Sequence, residues 1–360
     1  MTTKRLGILL LAAAIYFPVE FLIWLGLGLD ELIYPEYRKV SLPKPVFIIG
    51  NPRSGTTFLQ RLLAKDSDNF HCMRTWEIFT APSVFMRKLV HFVDGIGRVV
   101  GVPISKRVRK IEELWKDTDD VHRLKLRSPE EDEYLFLHNF STMKIWSYAA
   151  MEEESEPYIY FDQKLAADDK QRIMDYYQSC IQRHYYFHGD RKKYYLSKNP
   201  NFSPAVQTLL GRFPDAKFIY LIRNPLEAVP SHISLKDREW RILGSPLEKY
   251  SCRDFIIKSS HHWYEYPLGV LESLPENQAV IVKFDDLVSD AEAAVQKIYY
   301  QLGISLSENF RKVLAVETVH ARNHKSDHHY SLEEMGIKPQ QMVAEFADVI
   351  HKYKFEGLEQ

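Results

Sequence analysis

The segment VFIIGNPRSGTT, residues 46–57, decides the fold of this 360-residue chain. Its first four residues, Val46 to Ile49, form an apolar run that predicts a buried parallel strand ending at Gly50. Thr56 to Lys65 predicts a helix, because its leucines recur on one side. A strand, a glycine-bearing loop and a helix in this order predict a cradle for an anion. The N–H groups at the helix start, and the helix dipole, point towards the loop.

Downstream, strand and helix patterns alternate. Strands are predicted at Tyr194 to Ser197, Lys217 to Ile222 and Ala279 to Phe284, and helices at Pro204 to Arg212, Pro225 to Leu235 and Ser289 to Leu302. This alternation predicts an α/β fold, with a parallel sheet flanked by helices. Residues 66–192 read as a large helical insertion over the ligand edge of the sheet. Ligands bind at the carboxyl ends of such strands, which singles out Gly50–Thr57, Lys198–Pro200 and Arg223–Pro225.

Composition narrows the function classes. The chain is 45% hydrophobic and 13% aromatic, with a formal net charge of -1, so it offers a large core and no general attraction for nucleic acid. Its three cysteines, Cys72, Cys180 and Cys252, are widely spaced and predict neither a disulfide framework nor a paired-cysteine metal site. No set of His, Cys and carboxylate residues shows metal-ligand spacing, so no metal is expected.

The N-terminus is apolar from Leu6 to Leu29 except for Pro18 and Glu20. Its length suits a membrane span, whereas Pro18 and Glu20 favour segments that lie in the membrane interface, and both modes stay open. Lys4 and Arg5 before the run favour a cytoplasmic N-terminus. The basic residues after the run, Arg38, Lys39 and Lys44, favour a membrane-attached enzyme whose catalytic domain faces the cytoplasm. In a eukaryote, the alternative is a Golgi membrane with a lumenal catalytic domain.

The loop differs from an ATP-binding P-loop at a decisive position. That motif requires Lys after the second Gly, where this chain has Thr56, and the cation here is Arg53. The PRSGTT sequence instead resembles the 5′-phosphosulfate loop of sulfotransferases that use 3′-phosphoadenosine 5′-phosphosulfate (PAPS). The resemblance implies PAPS as co-substrate, without a metal. It also implies that the donor is bound by Arg53, Ser54, Gly55, Thr56 and Thr57.

A second motif supports the resemblance. The strand that ends Tyr220-Leu221-Ile222 continues as Arg223-Asn224-Pro225, with Ser231 eight residues after Arg223. In the family this Arg and Ser bind the 3′-phosphate, so the resemblance assigns that role to Arg223 and Ser231. Since Ser231 lies about two helical turns beyond the strand end, the geometry is reasonable.

Three weaker resemblances extend the match to about residues 45–355. They are Leu196 to Pro200, the acidic segment Ser128 to Glu133, and His328 to Ser331 followed by Gly336. They imply a bacterial-type member of the family. We therefore expect a membrane-associated segment at 1–30, a linker at 31–45 and a sulfotransferase domain at 46–355.

Sulfuryl transfer is an in-line displacement that depends on positioning and charge. Arg53 is expected to stabilise the leaving group electrostatically, and Lys198 to act as a mobile cation on the sulfuryl oxygens. Glu133 is the expected base for the acceptor hydroxyl, with His71 and His138 as alternatives. Glu131 belongs to a capping box, Ser128 to Glu131, so it has a purely structural interpretation as a cap.

Two other function classes remain open. One is a nucleotide kinase or NTPase, which lacks support because the P-loop Lys is missing. The other is a non-catalytic membrane scaffold. The acceptor is expected to be the hydroxyl group of a small molecule, a lipid or a glycan. Among these, the aromatic insertion and the apolar N-terminus favour a membrane-borne acceptor. The basic stretch Arg322 to Lys325 either closes over the 3′-phosphate or is a solvated loop.

Overall fold

Five parallel strands form a sheet at the centre of the protein, which we describe from a computed structural model. The structure describes residues 3–42, 44–80, 82–101, 103, 106, 125–148, 150–243, 248–322 and 331–355. The strands are β1 Pro45–Gly50, β2 Phe70–His71, β3 Tyr194–Lys198, β4 Lys217–Ile222 and β5 Ala279–Lys283, in the order β2-β3-β1-β4-β5. The predicted α/β fold is confirmed. β2 was missed, because two residues carry no periodic signal and lie in a segment predicted to be helical.

Helices cover both faces of this sheet. Their bounds are α1 Thr3–Ile33, α2 Thr56–Leu63, α3 Thr75–Thr80, α4 Val84–Val99, α5 Met143–Tyr148, α6 Glu152–Ile159, α7 Phe161–Lys164, α8 Ala167–His188, α9 Val206–Arg212, α10 Pro225–Ile242, α11 Arg253–Leu271, α12 Phe284–Ser289, α13 Ala291–Leu302, α14 Glu308–Arg322, α15 Pro339–Glu345 and α16 Ala347–Tyr353. Short 3₁₀ helices occupy Pro35–Lys39, Asp132–Asn139 and Pro200–Ala205. The predicted helical insertion is therefore present as α3 to α8, where the chain is described.

The central strand is buried on both sides. Phe47 packs into one core cluster with Phe218, and their ring centroids lie 5.5 Å apart. Ile48 packs into the other cluster, together with Ile219 of β4 and Leu59 of α2. Successive side chains of a strand point to opposite faces, so a strand covered on both faces must be apolar throughout. This explains why β1 reads as a continuous apolar run.

Two glycines shape the turn that follows β1. Gly50 has φ 142°, and a Cβ there would lie 2.3 Å from the carbonyl oxygen of Leu221. Gly55 has φ 84°, and its Cβ would lie 2.6 Å from the ring of Phe284. Both glycines hold left-handed backbone conformations and lie against neighbouring atoms. A residue with a side chain would not fit at either position. The loop is thereby pressed against the carboxyl end of β4.

A buried carboxyl group fastens the insertion to the sheet. Asp132, at the start of the 3₁₀ helix Asp132–Asn139, accepts hydrogen bonds from the hydroxyls of Tyr177 at 2.5 Å and Tyr195 at 3.0 Å. These tyrosines belong to α8 and β3. Burial raises the pKa of Asp132 to about 6, so ionising this carboxyl costs free energy in the folded protein.

The N-terminal apolar helix is present and longer than predicted. Among the described residues, α1 is the helix long and apolar enough to cross a membrane by length and composition. It continues to Ile33, into the predicted linker, where Asp30 accepts hydrogen bonds from the backbone N–H groups of Val84 and Phe85 and pairs with Arg183 at 3.0 Å. The division of the chain at residues 30 and 45 remains a prediction.

Some sequence features lie outside the described residues. They are His328 to Tyr330, Asn323 to Lys325 and Arg107 to Lys110. The family resemblance of the first segment and the two alternatives given for the second therefore stay predictions.

Replacing Gly50 by Ala should destabilise the fold strongly. We expect Gly50→Ala to lower the free energy of unfolding by about 2 kcal/mol or more, because the new methyl group meets the Leu221 carbonyl in a strained backbone conformation. Urea unfolding followed by circular dichroism measures the effect. Gly269→Ala is the control, since a Cβ at this helical position meets no atom within 4 Å, and it should be neutral or slightly stabilising. Equal stability of the two variants would contradict the assigned role of Gly50.

Asp132→Asn should change how stability depends on pH. The pKa of Asp132 is raised from 3.8 to about 6 in the folded protein, so its favourable contribution is present at low pH and lost as pH rises through 6. The Asn variant lacks this loss. Relative to wild type it should gain up to about 3 kcal/mol of stability between pH 4 and pH 7. Urea unfolding across this range tests the trend, with Asp215→Asn at an exposed position as control. A pH-independent difference would refute it.

Candidate active site at the carboxyl edge of the sheet

The loop after β1 presents backbone donors to the carboxyl edge of the sheet. Gly55 is the N-cap of α2, and the first regular helical hydrogen bond runs from the Leu59 N–H to the Gly55 carbonyl at 3.1 Å. The N–H groups of Thr56, Thr57 and Phe58 therefore have no partner within the helix. Together with the dipole of α2, they have the geometry of the anion cradle predicted from the sequence, and its role in binding an anion stays a prediction.

Arg53 connects this loop to α10. Its guanidinium Nε donates a hydrogen bond to the Ser231 hydroxyl at 3.0 Å. Arg223, which follows β4, donates from Nη1 to the Arg53 carbonyl at 3.1 Å. Arg53 holds φ 69°, a left-handed conformation that costs about 1–2 kcal/mol for a residue with a side chain. The structure thus gathers Arg53, Arg223 and Ser231, three predicted donor-binding residues, into one hydrogen-bonded group.

Arg223 is held by contacts with three further residues. It forms an ion pair with Glu227 at 2.8 Å, one turn along α10, and its guanidinium lies 4.5 Å from the centroid of the Phe284 ring. The hydroxyl of Tyr264 donates to the Arg223 carbonyl at 2.8 Å. These contacts fix the strand end and leave Arg223 partly exposed at the edge of the loop.

Lys198, at the end of β3, is buried in an ion pair. Its ammonium group contacts Glu131, whose other oxygen accepts from Lys144 at 2.9 Å. Burial raises the pKa of the Glu131 carboxyl, but the charges of Lys144 and Lys198 outweigh this effect and hold the pKa well below its usual range. Glu131 makes no side-chain cap on the 3₁₀ helix. The capping interpretation was wrong, because two lysines distant in sequence reach this carboxylate.

Glu133 lies next to this ion pair and is buried. One carboxylate oxygen accepts from the hydroxyl of Thr142, and the other accepts from the Asn199 side-chain amide at 2.9 Å. Burial raises the pKa of Glu133. Because Asn199 directly follows Lys198, the predicted base and the predicted mobile cation are positioned by the same end of β3.

Two residues of the site were missed. Lys144 gives no sequence signal beyond a single Lys in a helical pattern, yet its ammonium pairs with Glu131 and lies 4.1 Å from the Tyr134 ring centroid. His232 directly follows Ser231 on α10, a position that could have suggested it. Burial, and then the positive charges of Lys236, Arg53 and Lys144, lower its pKa to about 3. Three cations, Lys236, Arg53 and Lys144, therefore lie close enough to act on this buried imidazole.

The alternative bases occupy other positions. His138 is buried, and its ring nitrogens lie 2.8 Å from a Glu20 carboxylate oxygen and 2.7 Å from the Ile78 carbonyl. Both nitrogens are therefore engaged, one with α1 and the other with α3. His71, on β2, packs against the ring of His188 at a centroid distance of 5.5 Å. Neither histidine makes a described hydrogen bond to Glu131, Glu133 or Lys198.

One cluster has metal-binding residue types that the sequence spacing did not reveal. Glu77 lies with His184 and His188, and their ligand atoms fall within 4.8 Å of one another. Arg87 enters this cluster, with its guanidinium 3.2 Å from His184 Nδ1 and 3.8 Å from the Glu77 carboxylate. The positive charge of the Arg87 guanidinium would repel a metal ion at this place. The geometry therefore favours a buried network of charged side chains. That the protein needs no metal stays a prediction.

Curated relatives provide the first comparison with known proteins. The chain is 26% identical over 267 residues to the omega-hydroxy-beta-dihydromenaquinone-9 sulfotransferase Stf3 of Mycobacterium bovis, and equally to that of Mycobacterium tuberculosis. The match covers 72% of this chain and 63% of each relative. The chain therefore spans less than two thirds of the length of these relatives.

Solved structures agree on the fold. Sulfotransferase STF9 from Mycobacterium avium superposes with a TM-score of 0.73 at 17% identity, covering 93% of this chain and 83% of the other. Sulfotransferase STF1 from Mycobacterium tuberculosis H37Rv gives 0.68 at 17% identity, covering 96% and 91%. The sequence model of the sulfotransferase family matches residues 45–308, a range that contains the anion cradle, the Glu131–Lys198 pair and Arg223 with Ser231. By this match, the chain belongs to the sulfotransferase family.

Proposed function

We propose that this chain is an enzyme that transfers the sulfuryl group of PAPS to a hydroxyl group, and that the acceptor is a lipid. The observation that carries the proposal is the hydrogen bond between Arg53 and Ser231, which joins the anion cradle to the helix after β4. The two motifs of the sequence resemblance thereby meet in one site. A P-loop kinase or NTPase has less support, because Thr56 stands where its Lys is needed.

The donor would bind across this junction. Its 5′-phosphosulfate would lie on the N–H groups of Thr56 and Thr57 beside Arg53, and its 3′-phosphate would contact Arg223 and Ser231. Within the described part of the chain, the hydrogen-bond partner of Arg53 is a neutral hydroxyl and no carboxylate pairs with it. Its charge is therefore available to an anion without breaking an ion pair.

The chemistry is a single displacement at sulfur. The acceptor oxygen forms a bond to sulfur while the bond from sulfur to the bridging oxygen breaks, and adenosine 3′,5′-bisphosphate leaves. Arg53 stabilises the charge that develops on the bridging oxygen, and Glu133 takes the hydroxyl proton. The raised pKa of Glu133 suits a base, whereas the lysines around Glu131 depress the basicity of that carboxylate.

Lys198 would turn towards the sulfuryl oxygens when the donor arrives. Glu131 contacts its ammonium in the structure, and Lys144 would continue to neutralise Glu131 after Lys198 has turned away. This exchange of partners keeps the buried carboxylate paired throughout, which avoids the cost of an isolated buried charge.

A lipid acceptor is supported by two observations. The curated relatives are named for a menaquinone-derived acceptor. The long apolar helix α1 makes contacts with the 3₁₀ helix Asp132–Asn139, which begins one residue after Glu131 and contains Glu133. We place the catalytic domain on the cytoplasmic side of a membrane, because basic residues follow the apolar segment.

Removing the predicted contacts to the 3′-phosphate should weaken binding only of a ligand that carries this phosphate. We expect Arg223→Ala and Ser231→Ala each to weaken binding of adenosine 3′,5′-bisphosphate by about 1.5–3 kcal/mol, since a charged hydrogen bond is lost. Binding of adenosine 5′-monophosphate, which lacks the 3′-phosphate, should be nearly unchanged. Isothermal titration calorimetry measures both ligands.

Arg311→Ala on α14 serves as the control for lost surface charge, because Arg311 is half exposed and pairs only with Glu308 among the described residues. ATP with and without Mg²⁺ completes the series. If ATP bound as tightly as the bisphosphate, or if binding required Mg²⁺, the proposed donor would be wrong.

Exchanging Glu133 should separate chemistry from binding. Glu133→Gln should keep affinity for adenosine 3′,5′-bisphosphate and lower turnover by roughly 10²–10⁴, because the acceptor proton loses its base. Lys198→Ala should also lower turnover more than donor affinity. Turnover is measured as bisphosphate released from PAPS in the presence of a lipid extract, with Glu131→Gln alongside. Near-normal turnover of Glu133→Gln, with a large loss for Glu131→Gln, would move the base to Glu131.

A further inference from the structure

Helix α4 has its polar and apolar sides reversed. Its buried side includes Arg87 and Asp94, whereas a stripe of large apolar residues on the opposite side is exposed. This apolar stripe consists of Leu89, Phe92, Val93, Ile96, Val99 and Val100, and Phe92 is 65% exposed. A surface helix of a water-soluble protein has the reverse arrangement. The stripe therefore requires an apolar environment outside the described chain.

Helix α1 has a comparable face. A single side of it meets the rest of the protein, half-buried at Ile8 and Tyr16 and fully buried at Glu20, Ile23 and Leu27. The remaining circumference is exposed and almost wholly apolar, with exposed residues that include Leu10, Leu11, Ile15, Phe17, Phe21, Leu22 and Leu25. Contact along one side places α1 alongside the domain, not projecting from it.

The two faces meet. A Cβ on Gly26 of α1 would lie 2.5 Å from Cγ of Met86, which is in the first turn of α4, so the helices approach closely at this point. The apolar stripe of α4 starts one turn further on, at Leu89. Asp30 of α1 accepts from the N–H groups of Val84 and Phe85, which ties the start of α4 to the same helix.

Polar contacts fix the middle of α1 to the catalytic domain. Glu20 pairs with His138 at 2.8 Å, and the Trp24 indole N–H donates to the His138 carbonyl at 2.7 Å. The hydroxyl of Tyr16 donates to the Leu137 carbonyl. A helix that crosses the bilayer needs about 20 residues free to lie in hydrocarbon. Here a domain bound from Tyr16 onwards would have to enter the membrane with it.

We propose that α1 and the apolar stripe of α4 form one membrane-docking surface that lies in a single leaflet of a lipid bilayer and does not span it. Basic residues flank this surface: Lys4 lies at the start of α1, and exposed Lys88 and Arg98 lie on α4. Such residues suit the anionic headgroups beside a buried apolar face. This surface is independent of the reaction that the site catalyses.

Charge placed on the stripe should weaken membrane binding. The probe is a vesicle of phosphatidylcholine and phosphatidylglycerol, and the readout is the partition of the full chain between vesicle pellet and supernatant. We expect Phe92→Glu and Ile96→Glu each to reduce the partition coefficient by about tenfold or more, because a carboxylate must enter the interface in place of an apolar side chain. Val316→Glu on α14, at a position 56% exposed, should leave it unchanged.

Thermal unfolding in detergent shows that each variant is folded. A spanning α1 would hold the protein in membranes whatever the charge on α4. Unchanged partition of both folded α4 variants would therefore overturn the proposal, as would an equal loss in Val316→Glu.

Depth measurement tests the single-leaflet arrangement directly. An environment-sensitive fluorophore is attached at Ile15→Cys or Phe92→Cys in a Cys72→Ser background, since the other two cysteines are buried. Lipids with nitroxide groups near the headgroup or near the bilayer centre act as quenchers. Both positions should be quenched more by the shallow nitroxide. Stronger quenching of Ile15 by the deep nitroxide would establish a span, and no quenching at Phe92 would remove α4 from the surface.

Discussion

The close approach of Gly50 to the Leu221 carbonyl is the constraint on which the rest of the site depends. Without a side chain at this position, β1 and β4 end in contact, and the loop after β1 turns over the end of β4. Arg223 then reaches the Arg53 carbonyl, and Arg53 reaches Ser231. These hydrogen bonds hold Arg53 in its strained left-handed conformation. The close approach at Gly50 thereby sets the positions of the Arg53, Arg223 and Ser231 side chains.

Charge balance is the second organising feature. Glu131 is shared by Lys198 and Lys144, and burial alone would otherwise favour its neutral form. A multiply charged donor would add negative charge beside these lysines, and Lys198 could then exchange one carboxylate for one sulfuryl oxygen at little electrostatic cost. The arrangement buries the Lys198 ammonium, whose side chain is 2% exposed, against the Glu131 carboxylate.

A short segment next to Glu131 connects the site to the proposed membrane-docking surface. The 3₁₀ helix Asp132–Asn139 carries Glu133 towards the sheet and His138 towards α1. Asp132 anchors it to β3 through the Tyr195 hydroxyl. An acceptor that arrived from a lipid leaflet would therefore meet the proposed base only a few residues from the helix proposed to lie in that leaflet. Within the eight residues of this 3₁₀ helix, Asp132 contacts the sheet and His138 contacts α1.

The sequence by itself determined the α/β class and four of the five described strands. It also predicted an anion cradle and the donor-binding residues Arg53, Arg223 and Ser231, whose roles stay proposals. It did so because local periodicity and turn chemistry report which residues are buried and where strands end. It did not predict β2, whose two residues have no period, or the partner of Glu131. Glu131 and Lys198 are 67 positions apart, and only the order of strands in the sheet brings them together. The same holds for Lys144 and for the side of α1 that rests on the domain, because long-range packing alone selects which of their groups meet a partner.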